Sequence, residues 1–495
     1  METVISSKIA ISAVIPMVTT LFIMASRKKP NIREFWSIFG AVLTFSSVMS
    51  LLPYVLAGIS YEYTFCTLYP GIHLKFHLDG LGFMFAGTAS FLWIVAGFYC
   101  IGYMRGLREH AQTRFYVCYA AAVGGGVGAA FAGNLFTLYL FYEIVSIVTY
   151  PLVAHHQDEE GYDGARKYII YLMFASKAFL LPAMILTYVL TGTLDFSTTG
   201  IMNGIFPKDA NGLLVSITYF LCLFGFAKAA LMPMHGWLPA AMVAPTPVSA
   251  LLHAVVVVKV GVFSVCRVML YLFGVNILQT LHLGMITAYL ASFTIITASI
   301  IALSKTNLKA RLAYSTVSQL SYIILGVAML TPNGITGGII HIANHAFSKI
   351  ALFFCAGAIF VATKKKDISE LGGLGYQMPL TMIAFGLASL SMIGVPPVSG
   401  FVTKWYLALG AMDLANVVLL SVLLISSLLN AGYFVPIFLT SFFDKPKNST
   451  QGVSNLETTP LMLFMVIPLF VCALFSVYFG FNPSFFINII KVIMG

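Results

Sequence analysis

Phe226-Ala227-Lys228-Ala229-Ala230-Leu231-Met232-Pro233-Met234-His235-Gly236-Trp237-Leu238-Pro239 carries a lysine along an apolar run and then breaks that run with prolines. A second stretch, Gly394-Val395-Pro396-Pro397-Val398-Ser399-Gly400-Phe401-Val402-Thr403-Lys404, has the same ingredients in reverse, break first and lysine later. Proline removes a backbone donor and clashes with the preceding turn, so neither run continues as one regular helix. In a bilayer the freed carbonyls must be satisfied by protein or by a hydrated cavity. Broken helices at matching places in two halves of a chain mark an ion site in many membrane proteins.

The surroundings are those of a membrane. Hydrophobic residues make up 59% of the chain and charged residues only 9%, far from the soluble average. Apolar runs of bilayer length recur, near 5–25, 35–57, 81–103, 115–132, 134–154, 168–192, 212–232, 246–273, 281–303, 312–330, 335–362, 380–409, 412–440 and 460–480. The expectation is an all-α polytopic membrane protein of about fourteen helices. The first run lacks a small-residue cleavage site and leads into Arg27-Lys28-Lys29, so it is expected to be retained rather than cleaved.

The two breaks fall in runs 7 and 12, five apart, which predicts two five-helix units, the second inverted because five is odd. The predicted organisation is 1–114 for three N-terminal helices, 115–275 for helices 4–8, 276–440 for helices 9–13 and 441–495 for helix 14 and a tail.

The net charge of +10 follows orientation rather than nucleic-acid binding. Of the 27 Lys and Arg, 17 lie in loops after odd-numbered runs, whereas Lys8, Lys75, Lys208 and Lys491 lie on the other side. The positive-inside rule makes the basic loops cytoplasmic and both termini external. The integral protein is expected in a prokaryotic cytoplasmic membrane, with no nucleic-acid partner. The seven cysteines are scattered without a C-x-x-C pair and read as small buried residues. No cofactor or metal signature appears; Gly124-Gly125-Gly126 lies within an apolar run and reads as helix packing.

Seven charges remain inside the runs: Glu143, Lys177, Lys228, Lys259, Arg267, Lys349 and Lys404. A charge at the bilayer centre costs at least ~2.5–3.5 kcal/mol on insertion scales and is a functional candidate by default. Desolvation opposes the charged form, so a buried lysine is a group that trades a proton near neutral pH. Glu143 needs a partner, and Lys177 on the following run is expected to supply it as an ion pair that opens and closes. Lys228 and Lys259 are the expected next stations, with His253 as relay or gate. His341 and His345 share a helix face, and Lys349 stands one turn further. With Asn344 nearby and no third ligand, they read as a hydrogen-bonded wire rather than a metal pair. Lys404 is the expected last carrier or exit. Arg267 cannot deprotonate and reads as structural. His155, His156, Asp158, Glu159 and Glu160 are expected in a cytoplasmic loop, solvated or facing a partner.

These motifs resemble one superfamily. Met234-His235-Gly236-Trp237-Leu238-Pro239 with Ala244-Pro245-Thr246-Pro247-Val248-Ser249-Ala250-Leu251-Leu252-His253 is similar to the signature of the antiporter-like subunits. Leu312-Ala313-Tyr314-Ser315-Thr316-Val317-Ser318-Gln319, Asn344-His345-Ala346-Phe347-Ser348-Lys349 and the second break extend the likeness over about 80–495. These subunits are shared by Mrp-type cation/proton antiporters, respiratory complex I and membrane-bound hydrogenases. The chain looks most similar to the D subunit of the Mrp type. The resemblance implies functional positions at Glu143, Lys177, Lys228, His253, Lys259, His345 and Lys404. It also implies other membrane subunits as partners, and protons, with sodium as a second candidate, as the transported ions. Two departures stand out. Ala240, Ala241 and Met242 occupy places where many members carry an acid, and Lys404 stands where some carry glutamate. Redox chemistry is not encoded in the chain, so it is expected to serve either an antiporter or the pump module of an oxidoreductase.

Overall fold

The computed structural model describes residues 3–198, 200–444 and 455–494; within these, the side chains of Thr3, Leu251, Leu252, His253 and Val255 lie outside the description. His253, expected as a relay, is therefore placed only by its backbone, in the π-helical turn Ser249–Val256.

The chain is an integral multi-pass membrane protein built mainly of helices. Those of ten residues or more are α1 (Lys8–Ala25), α2 (Pro30–Met49), α3 (Gly80–Gly106), α4 (Gln112–Ala130), α5 (Leu135–Val153), α6 (Glu159–Ala175), α7 (Leu181–Thr191) and α8 (Gly212–Gly225). They continue with α9 (Val257–Arg267), α10 (Leu283–Ser304), α11 (Leu308–Ala328), α12 (Pro332–Thr363), α13 (Pro379–Ile393), α14 (Ser399–Asp413), α15 (Val417–Phe443), α16 (Pro460–Phe481) and α17 (Ser484–Met494). Nine helical stretches among the described residues are long and apolar enough to cross a membrane. Several expected crossings are instead broken into shorter helices, as at α8, α9, α13 and α14.

The breaks differ in detail from the reading of the sequence. Lys228 was expected on the helix before the first break, but α8 ends at Gly225 and Lys228 lies within the break, on the 3₁₀ turn Ala227–Ala229. The break packs closely on α9. A Cβ at Gly261 of α9 would stand 2.2 Å from the nitrogen of Ala229 and 2.3 Å from the carbonyl carbon of Lys228. The second break begins at Gly394, whose φ of +87° ends α13 in the left-handed conformation that glycine adopts without penalty. The loop expected at 155–167 is also shorter, because Asp158 caps α6 by accepting from the N–H of Gly161 at 2.7 Å.

Small residues of α4 close the bundle, in agreement with the packing reading of its glycines: a Cβ at Gly125 would stand 2.7 Å from a Val145 methyl on α5. The long α12 is central, with 78% of its most apolar window buried, and it carries His341, Asn344, His345 and Lys349.

One element is absent from the sequence reading. β1 (Thr3–Ile5), β2 (Ser60–Tyr69) and β3 (Ile72–His77) form a small sheet, β1 parallel to β2 and β2 antiparallel to β3, with Glu62 opposite His77. Tyr, Thr and Phe dominate β2, as strands favour, and Pro70-Gly71 supplies the turn. Lys75 joins the sheet to the helices, 3.3 Å from Glu62 and 3.2 Å from Asp195. Asn134, the N-cap of α5, donates to Asp195 at 3.2 Å and to the His73 carbonyl at 2.7 Å. The hydrogen bond from His77, helped by the Lys75 ammonium, holds the Glu62 carboxyl down to about 2.

Arg267 is tied to a partner that the sequence reading did not name. Its Nη2 donates to Asp79 Oδ1 at 2.8 Å, and its Nη1 donates to the other oxygen. Asp79 also caps α3, accepting from the N–H of Gly82 at 2.8 Å.

Two outcomes follow for stability. Arg267→Met leaves Asp79 buried without its counter-charge and is expected to destabilise the protein by ~3–5 kcal/mol, with much of the loss recovered in Asp79→Asn/Arg267→Met. Unfolding midpoints in detergent measure both, and a double variant no better than the single one refutes the pairing. For Glu62 the folded value lies below the unfolded 4.5, so its contribution is present above about pH 4.5 and is lost as pH falls towards about 2. The difference in unfolding temperature between wild type and Glu62→Gln is expected to shrink across that window. A difference independent of pH contradicts this origin.

Candidate functional site

The intramembrane charges converge on the bundle interior in a series of contacts. At one end, Lys177 lies on the π-helical turn Ser176–Leu180 between α6 and α7, and Glu143 projects from α5. Lys177 Nζ is 3.1 Å from Glu143 Oε2 and donates to the Tyr139 hydroxyl at 2.6 Å. Glu143 is buried, but the Lys177 side chain is 48% exposed and thus opens onto the outer face of this chain, where the sequence reading expected burial. Lys177 sits on a π-turn, a local departure from α-helical register.

Tyr142, next to Glu143, contacts the first break. Lys228 Nζ donates to the Tyr142 carbonyl and lies 3.4 Å from the centre of the Tyr142 ring, while the Lys228 N–H donates to the Tyr142 hydroxyl at 3.1 Å. Trp237 supports the turn by donating to the Ala227 carbonyl at 2.9 Å. Between Lys228 and Lys259 the contact is backbone packing, with Gly261 of α9 against the break.

Lys259 and His345 are fully buried, and Lys259 Nζ stands 2.9 Å from His345 Nδ1. His341 is next on the same helix face, its ring centre 5.6 Å from that of His345. Its Nε2 is 3.0 Å from Gln319 Oε1. Among the described residues, His345 Nε2 and His341 Nδ1 have no hydrogen-bond partner. The Tyr322 ring is 5.8 Å from His341, and Lys404 Nζ lies 5.3 Å from the same tyrosine ring.

Lys404 reaches back across the second break. It donates to the Ile393 carbonyl at 2.7 Å, at the C-terminus of α13, and to Ser427 of α15 at 2.7 Å. Lys349 turns to α11, donating to Ser315 Oγ and to the Leu312 carbonyl at 3.3 Å. It is thus a branch of the series rather than a step between the histidines and Lys404. Asn344 holds α12 to α14 through the Ser399 carbonyl at 2.9 Å and Thr403 at 3.1 Å.

The sequence reading missed Tyr139, Tyr142, Ser315, Gln319, Tyr322 and Ser427. For three of them a signal existed. Ser315, Gln319 and Tyr322 are spaced four and three apart, so they form a polar stripe on one face of α11.

A second polar region lies at one end of the bundle. A cavity of about 740 Å³ is lined by Glu109, His156, Asp158, Glu160 and Lys309, among others, and reaches Tyr103 and Thr246. His155, expected to be solvated, is instead fully buried against the rings of Phe115 and His110. Burial, with His110, His156 and Arg114 close by, holds its imidazole down to about 3.

Comparison with known proteins agrees with this architecture. The family described as NADH:quinone oxidoreductase/Mrp antiporter, TM matches residues 132–430. NADH-quinone oxidoreductase subunit N of Desulforudis audaxviator (strain MP104C) is 30% identical over 462 residues, 90% of each chain. Among solved structures, a chain of the Mrp complex from Dietzia sp. DQ12-45-1b superposes with a TM-score of 0.87 at 21% identity, covering 99% of this chain and 96% of that one. A chain of the membrane-bound sulfane sulfur reductase, an archaeal respiratory membrane complex, gives 0.85 at 22% identity, covering 98% and 97%. With both breaks and every buried histidine and lysine of the series inside the matched segment, the chain belongs to the transmembrane family of NADH:quinone oxidoreductase and Mrp antiporter subunits.

Proposed function

We propose that this chain translocates protons as one subunit of a larger membrane complex, of the Mrp-type cation(Na⁺)/H⁺ antiporter kind and closest to its D subunit. One observation carries the reading: Lys259 and His345, both fully buried, stand 2.9 Å apart nitrogen to nitrogen. Lys228, Lys349 and Lys404 each donate to a backbone carbonyl, which holds an amine but cannot take its proton. A neutral imidazole carries one unprotonated nitrogen that can take a proton. The route runs from Lys228 past Lys259 and His253 to His345 and His341, and ends at Lys404. Glu143–Lys177 is the electrostatic switch and Lys349 a side branch. Helices 4–8 (115–275) and 9–13 (276–440) form the two inverted units, flanked by 1–114 and 441–495, with about fourteen crossings in all and both termini outside a prokaryotic cytoplasmic membrane. Lys177 supports the expectation of neighbours. Half exposed at the side of the bundle, it is costly against lipid and less so against another subunit. Moving one charge against 100 mV requires ~2.3 kcal/mol, so the driving gradient or reaction belongs to those neighbours.

A second reading, the pump module of a complex I-like oxidoreductase, is favoured by the 30% identity to a quinone oxidoreductase subunit. Purifying the native complex separates the two. Sodium-driven acidification with no redox polypeptide fits the first, and co-purifying iron–sulfur proteins with pumping driven by an electron donor fit the second.

The axis itself is tested in inverted vesicles by a pH-sensitive dye. Lys259→Met and His345→Ala are each expected to lower transport by at least about tenfold, roughly 1.4 kcal/mol in barrier, with assembly checked by immunoblot. Full transport in assembled Lys259→Met overturns the route, and full transport in Glu143→Gln removes the switch.

A further inference from the structure

Two loops meet at the rim of the 740 Å³ cavity: residues 107–111 between α3 and α4, and residues 154–158 between α5 and α6. They bring together Glu109, His110 and His155, each offering one ligand atom, all within 4.8 Å of one another. His156 adds a fourth donor, its Nδ1 3.7 Å from Glu109 Oε2. His155 is the buried member. Its side chain has no exposure, its Nε2 faces Glu109 Oε2 at 3.7 Å, and neither ring nitrogen makes a hydrogen bond within 3.5 Å to any described residue. At 3.7 Å that contact is too long for a hydrogen bond. A buried imidazole left without a short hydrogen bond is costly, and its backbone is held in place by Arg114, which donates to the His155 carbonyl at 3.0 Å. Gln112 fixes the other loop by donating to the Glu109 carbonyl at 3.1 Å.

From this arrangement we infer that Glu109, His110 and His155, with His156 within reach, form a transition-metal site of the zinc type that joins the two loops. Imidazole and carboxylate donors suit Zn²⁺, which binds them at about 2.0–2.2 Å in a tetrahedron. Donors on that tetrahedron stand closer than 4.8 Å, so binding draws Glu109 and the exposed His110 inward onto His155, a side-chain rearrangement on the accessible side of the site. Oxygen-preferring Mg²⁺ and Ca²⁺ are excluded by the nitrogen donors. The site is separate from the Lys259–His345 series and does not depend on the transport reading.

The test uses the full chain, purified with its affinity tag removed, stripped with a chelator and titrated with Zn²⁺ against a chromogenic indicator. One equivalent is expected to bind. His110→Ala and Glu109→Gln should each weaken binding by more than the ~10–100-fold that outer-shell changes cost. His110 is exposed, so its removal leaves the fold intact even where His155→Ala does not. Co²⁺ in place of zinc should give a visible absorption band in wild type that is lost in His110→Ala. The absence of saturable binding to wild type overturns the site, as does stoichiometric binding unchanged in both variants.

Discussion

Every amine buried in this bundle must end on an acceptor, and that requirement organises the interior. In an apolar medium an unpaired ammonium is far more expensive than any packing gain. Regular helices have few acceptors to spare, since their carbonyls are already bonded within the helix. The second break supplies one. Gly394 ends α13 and leaves Ile393 with a free carbonyl, to which Lys404 donates at 2.7 Å. A Cβ at Gly394 would lie 2.5 Å from Lys404 Cδ, so the absence of a side chain there makes room for the lysine stem. The broken helix and its lysine are one device.

Partner chemistry then sorts the charges. Arg267 is held by both oxygens of Asp79 and cannot give up its proton, so it acts as a fixed strut between α9 and the start of α3. Lys228, Lys349 and Lys404 rest on carbonyls and hydroxyls, which accept a hydrogen bond without taking the proton. Lys259 faces an imidazole. On the proposed reading, this is the junction where proton affinity passes from an amine to a ring, and where small movements of α9 against α12 have the largest effect.

Much of this was legible in the sequence because the membrane leaves so few choices. Apolar runs identify helices, prolines identify breaks, and a charge inside a run points to a partner. Glu143 and Lys177 were paired on that logic alone and stand 3.1 Å apart. What escaped depended on geometry that composition does not carry. Lys177 is half exposed on a π-turn, and a single extra residue per turn leaves no mark in a hydrophobic pattern. The strands escaped because a search for long apolar runs passes over an alternating segment such as Tyr61–Tyr69. His155 looked solvated from its acidic neighbours, yet its burial depends on the α3–α4 loop folding over it, a contact between residues some 45 positions apart.

The two breaks are alike in composition but not equivalent in what they hold. Lys228 sits inside the first break and reaches outward to α5, whereas Lys404 follows the second and reaches back over it to α13. The first arrangement places the lysine against the helix that carries Glu143, because Tyr142, whose carbonyl Lys228 rests on, and Glu143 are adjacent. The second couples Lys404 to its own broken helix, to Ser427 of α15 and to the Tyr322 ring of α11. On the proposed reading, the electrostatic control belongs to the first half of the chain, and the second half provides a carrier.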